Sequence, residues 1–132
     1  MELSEVIYDL KLKGSRSHRN YDIMVAGWYI EKGNKIPTYE TCLDTWNNIS
    51  KVRLLSQMKA EKILEVKSAT NEELRKTDWQ VIKKLETNNL SDNEFALLKT
   101  KRQDARDLSN NIETAIFNLA TIEAVRDYKI EF

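Results

Sequence analysis

The chain has 132 residues, 41% of them hydrophobic and 32% charged, with 21 basic and 21 acidic side chains and no formal net charge. That length makes one ordinary domain with a modest core under a densely charged surface. Residues 1–70 carry +2 (11 basic against 9 acidic) and residues 71–132 carry −2 (10 against 12), so neither half has the basic excess of a nucleic-acid binder. Zero net charge also gives little colloidal repulsion, which suits a chain working inside an assembly. Cys42 is the single cysteine, so no intrachain disulfide forms and no oxidising compartment is implied. The opening MELSEVIYDLKLK lacks the apolar run of a signal peptide. No stretch approaches the roughly 20 apolar residues of a membrane span. The expectation is a soluble chain made in a cytoplasm.

Val6, Tyr8, Leu10 and Leu12 alternate with mostly charged residues, which predicts a half-buried strand over 6–12. The stretch GSRSHRN that follows reads as a polar loop. In YDIMVAGWYIEKGN, Met24 and Trp28, like Ala26 and Ile30, stand four apart and favour a helix from Asn20 to the Gly33-Asn34 stop. The β-rich run VAGWYI leaves a strand open for residues 21–32. Pro37 breaks the chain and Thr38 opens a helix as N-cap, with Glu40 in its first turn. Leu43, Trp46, Ile49, Val52 and Leu55 form its apolar stripe, while Leu54, Met58, Ile63 and Val66 fall on other faces. Such a helix lies between partners or changes direction near Ser50.

SATNEE, residues 68–73, predicts a break. Thr77 or Asp78 then caps a short helix, WQVIKKLET, which Asn88-Asn89 ends because asparagine tolerates the left-handed conformation. Ser91 and Glu94 form a capping box, the S-x-x-E signature of a helix start. Beyond it Leu98, Ala105, Leu108, Ile112, Ala115, Leu119 and Ile122 recur on one helical seam, with no proline or glycine before the C-terminus. A helix of about 30 residues is about 45 Å long, more than a compact domain of this size needs, so part of the seam is expected on a partner. The tail YKIEF alternates and predicts a closing strand, paired with residues 6–12.

The order Leu74, Thr77-Asp78-Trp79, a polar turn, then Arg102-Gln103, Arg106-Asp107 and Leu108 resembles the phage tail assembly chaperone-like module of tailed bacteriophages. The run DWQVIKKLETN is similar to one found in many phage tail proteins. The resemblance covers residues 70–108, about 40 of the 132. Lys101 stands where that family usually has tyrosine, and Asp104-Ala105 replaces its small-leucine pair. The resemblance implies a helical hairpin in which Asp78 caps a helix and Trp79 packs on the next one. Arg102 and Arg106, one turn apart, either reach Asp78 or Glu86 across it or stand as solvated surface charges. It also implies a setting, the virion tail, reached from a bacterial host cytoplasm.

Little in the chain points to catalysis. His18 is the single histidine and lies in a polar loop; Cys42 has no histidine beside it and reads as a small core residue. Asp104 and Asp107 share a helix face but read as a solvated surface. Three glycines in all leave no phosphate-cradling loop, and Trp28, Trp46 and Trp79 read as core anchors. The expected fold is mainly α: a helical hairpin or bundle with a long C-terminal helix, and a small β element where the terminal strands meet. Residues 1–67 form an N-terminal, partner-binding part and residues 68–132 the hairpin. The expected function is that of a non-enzymatic bacteriophage tail protein, a structural adaptor of the tail or tail fibre. An assembly chaperone absent from the mature particle and a helical protein-binding module unrelated to phages are the alternatives. Other tail or tail-fibre proteins and further copies of the chain are the expected partners. No nucleic acid, membrane, small-molecule substrate, metal or cofactor is expected. Trp79, Arg102, Arg106, Leu108, Ile112 and Leu119 are the candidate packing or partner-binding residues, with Asp78, Ser91 and Glu94 as caps.

Overall fold

The computed structural model describes residues 1–11, 21–22 and 36–132. His18, Trp28 and most of the helix-or-strand segment 21–32 lie outside them; Tyr21 and Asp22 are helical. The chain divides into two compact units, Met1–Ser56 and Gln57–Phe132. The described residues are mainly helical: α1 (Leu3–Asp9), α2 (Tyr39–Thr45), a π-helical turn (Trp46–Ser50), α3 (Lys51–Thr87), α4 (Asp92–Phe117) and α5 (Ile122–Asp127). No strand occurs among them, so both terminal strands are corrected.

The first unit shows why the N-terminal strand fails. The alternation of Val6, Tyr8 and Leu10 is a subset of a helical pattern. Leu3, Val6, Ile7 and Leu10 stand at the i, i+3, i+4, i+7 spacing of one face, and Leu3, Val6 and Ile7 are buried while Tyr8 is exposed. Lys11 closes α1 in the left-handed region (φ 55°). The buried face packs with Cys42, with Leu10, Tyr21, Ile36 and Trp46 around it. Tyr21 donates its hydroxyl proton to the Pro37 carbonyl (2.5 Å) and meets Tyr39 edge-on at 5.4 Å.

Thr38 caps α2 as expected, its hydroxyl accepting from the Thr41 amide at 3.1 Å. The stripe beyond it is displaced. Cys42, Thr45 and Ser50 are buried, whereas Leu43, Ile49 and Val52 are exposed. A regular helix carries the face of Cys42 and Thr45 on to Ile49; the π turn widens the backbone and presents Ser50 instead. Arg53, in the first turn of α3, then grips α1. Its Nε donates to Asp9 Oδ1 (3.0 Å), and Nη2 donates to Asp9 Oδ2 (3.2 Å) and Glu5 Oε2 (2.5 Å). The guanidinium also stands 5.0 Å from the Tyr8 ring centroid.

The second unit is an antiparallel hairpin of α3 and α4. No break occurs at 68–73, and neither Thr77 nor Asp78 starts a helix; α3 runs through all of them to Thr87. Long side chains compatible with helix and an unbroken inward row outweigh the local polar cluster. Asn88 turns the chain in the left-handed region (φ 52°), and the Ser91–Glu94 capping box restarts it with both reciprocal hydrogen bonds made. Lys84 ties the turn, donating to the Leu90 carbonyl at 2.7 Å and to Asp92 at 3.1 Å. At the other end Lys59 donates to the Phe117 carbonyl at 2.7 Å, and Lys67 meets Glu113 at 4.0 Å. These contacts are rungs of one antiparallel register.

Val66, Ile112 and Ile116 form the core near the open end, covered by Ile63, Tyr128 and Ile130. The C-terminal helix is not continuous. α4 stops at Phe117, and Thr121 caps α5 by accepting from the Ala124 amide at 3.1 Å. This reversal buries Ile122 and Val125 and lays Tyr128 and Ile130 of the tail on the core, without strand pairing.

Two measurements test this account. Ile116 is fully buried, so Ile116→Ala should lower stability by about 2–5 kcal/mol in urea unfolding. The Asp9 carboxyl is held below its ordinary value by the nearby Ser50 hydroxyl and by Arg53. A depressed folded pKa gives stability that is complete above the unfolded value, about 3.9, and is lost as pH falls through the folded one. Acidification below about pH 4 should therefore weaken the first unit. Asp9→Asn should flatten that part of the pH–stability curve.

Candidate functional site

The middle of the hairpin is unexpectedly polar. Thr70 and Ser109 are buried there, and Thr70 returns its hydroxyl to the Val66 carbonyl at 2.8 Å. Arg102 fills the next layer. Its Nη1 donates to the Leu74 carbonyl and to Thr77 Oγ1, both at 2.7 Å, and Nη2 meets Asp78 Oδ1 at 2.8 Å. Charge-assisted hydrogen bonds of this kind are short and directional. Leu74, Thr77 and Asp78 stand together on α3, and the one guanidinium of Arg102 joins them.

Asp78 thus acts as an acceptor for Arg102 from within α3, and its expected role as a helix cap is corrected. Trp79 is 57% exposed, with Lys83 Nζ at 5.9 Å from its ring, so its expected burial against the next helix is corrected too. Arg106 is exposed and makes no ion pair with a described residue. The seam itself runs through Leu98, Arg102, Ala105, Ser109, Ile112 and Ile116, one residue beyond the expected Leu108 and Ala115. Leu108 is 39% exposed, while Ile112 is buried. Leu119 is half-buried in the turn after α4. Ser91 and Glu94 cap α4, and the backbone amide and hydroxyl of Ser91 hold the Glu94 carboxyl below its ordinary value.

Comparison with protein-family models, curated proteins and solved structures returns no match.

The surface carries apolar side chains that composition alone did not single out. Ile82 and Leu85 are 54% and 77% exposed, and with Trp79 they recur three apart along the outer part of α3. On α4, Leu97 is 65% exposed and lies eleven residues, about three turns, from Leu108. The signal for them was present: each falls off the inward row once the register is fixed by Arg102. An open groove of about 860 Å³ lies between Lys62, Glu65 and the segment 126–131, but its charges are of mixed sign. Among the described residues no group of three or more His, Cys, Asp or Glu side chains is placed to hold a metal ion.

Removing the central guanidinium tests its importance. Arg102→Ala should cost about 1–3 kcal/mol, because it strips hydrogen bonds from a half-buried layer. Arg102→Lys should recover little, since an ammonium does not reproduce the planar fork. Urea unfolding of both variants measures this.

Proposed function

We propose that this chain is a non-enzymatic bacteriophage tail protein, a small structural adaptor that joins tail or tail-fibre components in the virion. The observation that carries the reading is the exposed row Trp79, Ile82 and Leu85 on the hairpin. It lies in the same stretch, residues 70–108, that resembles the tail module. Grouped exposed apolar side chains on a charged surface mark contact with another protein, and tryptophan is prominent among residues that anchor such contacts. Within this reading Arg102 keeps the hairpin in register so that the row is presented on a stiff support. The partner is another tail or tail-fibre protein, bound through apolar contact.

Two experiments test the proposal. Mass spectrometry of purified particles should find the chain at a fixed ratio to the other tail proteins; its absence would rule out the adaptor and leave an assembly chaperone. Trp79→Glu should keep the helical content and thermal midpoint of the parent, because the side chain is exposed, yet abolish incorporation into particles. Normal incorporation of that variant would show that the row is not the docking surface.

A further inference from the structure

A second stripe on α4 is matched to itself. Leu97, Lys101, Asp104 and Leu108 follow one another at spacings of four, three and four residues, so they share one helix face. All four are exposed, and neither Lys101 nor Asp104 makes an ion pair with a described residue. The face lies roughly a quarter turn from the inward row, by the helical repeat of 3.6 residues.

The order of these side chains is self-complementary. A two-fold axis crossing the helix between Arg102 and Gln103 carries Leu97 onto Leu108 and Lys101 onto Asp104. Two antiparallel copies of α4 related by that axis set leucine against leucine at both ends. In the middle they set lysine against aspartate twice. Isologous contacts of this type require each residue to suit its symmetry mate, and here the apolar and the charged pairs both do. The same axis would oppose Lys99 to Arg106, a like-charge pair, but those two project from the other flank. Lys99 stands there over the Phe95 ring at 5.1 Å. Beside Leu97 lies a shallow depression of about 380 Å³, lined by Asn93, Ala96, Leu97 and Thr100. Leu108 of a second copy arrives at that level.

We infer that the Leu97–Leu108 face of α4 is a homodimer interface, occupied by the same face of a second copy of this chain in antiparallel register. The inference stands independently of the tail reading, because it uses a different face and needs no other protein. Two leucines per copy bury less than the roughly 1,200 Å² of a standard interface. The dimer is therefore weak and reversible, populated at protein concentrations on the order of 100 μM and strengthened where copies are held close together.

The test is sedimentation equilibrium of the full chain with charge-exchange variants, and far-UV circular dichroism confirms their helix content. The parent should show a monomer–dimer equilibrium. Lys101→Asp sets acid against acid across the axis, and Asp104→Lys sets lysine against lysine. Each alone should raise the dissociation constant by roughly tenfold or more, as like-charge opposition does. Mixing the two variants in equal amounts restores every opposite-charge pair between chains, so dimers should return. A rearrangement within one chain does not produce that recovery. A parent that stays monomeric at several hundred micromolar, single variants that dimerise as the parent does, or a mixture that stays monomeric would each overturn the inference. So would a face covered only when a different protein is added.

Discussion

The second unit depends on the Arg102 guanidinium, which reaches across the hairpin to a carbonyl, a hydroxyl and a carboxylate of the opposite helix. An antiparallel pair of helices with apolar seams has several registers of similar energy, since one leucine replaces another at little cost. A planar fork with three acceptors does not slide. The layer made by Arg102, Thr77 and Asp78 therefore gives up some apolar burial and selects one alignment. The lysine ties at Lys59 and Lys84 agree with it at both ends. Every inward or outward assignment on α3 and α4 follows from that alignment, including the exposure of Trp79 and Leu97.

Local signals that name specific backbone positions were readable in the sequence. The Thr38 cap and the Ser91–Glu94 box each depend on one side chain meeting backbone groups a few residues away, the Asn88 reversal on asparagine's tolerance of the left-handed conformation, and each stands where the spacing placed it. The mainly helical character was legible for the same reason. What could not be read was the phase of long helices. Counting apolar residues selected Leu108 and Ala115 for the seam, because Ser109 and Arg102 do not look like core residues. Arg102 is held by acceptors of the opposite helix, and Ser109 by the Glu113 carboxylate one turn on in its own helix. The N-terminal segment is helical rather than extended, because alternation over a few residues also fits one face of a helix. Leu3 and Ile7 decide between the two.

The charge balance of the chain takes on a geometric sense in this structure. Zero net charge does not mean that charges pair within the molecule. The hairpin ties lie at its turn, middle and open end, while Lys101, Asp104 and Arg106 remain on the outer surface. Apolar groups are likewise divided. A modest core is made from Val66, Ile112, Ile116 and their neighbours, and several large apolar side chains stay outside it. A chain of this length holds few core positions, so Trp79 and leucines such as Leu85 and Leu97 remain at the surface.

The π turn at Trp46–Ser50 sets the phase of the helix that follows it. A π turn is an α-helix carrying one residue more than its hydrogen-bond ladder needs, and here that surplus brings Ser50 to the core face. Were the same residues to close into a regular ladder, Ile49 would take that place and the following helix would turn by about 100° relative to α2. Arg53 would then point away from Asp9 and Glu5 although no side chain of the clamp had changed. Excision of one residue from the five would instead let a regular ladder form with Ser50 and Arg53 still on that face. The grip on α1 is thus encoded by a residue count, with the surplus taken up in the turn.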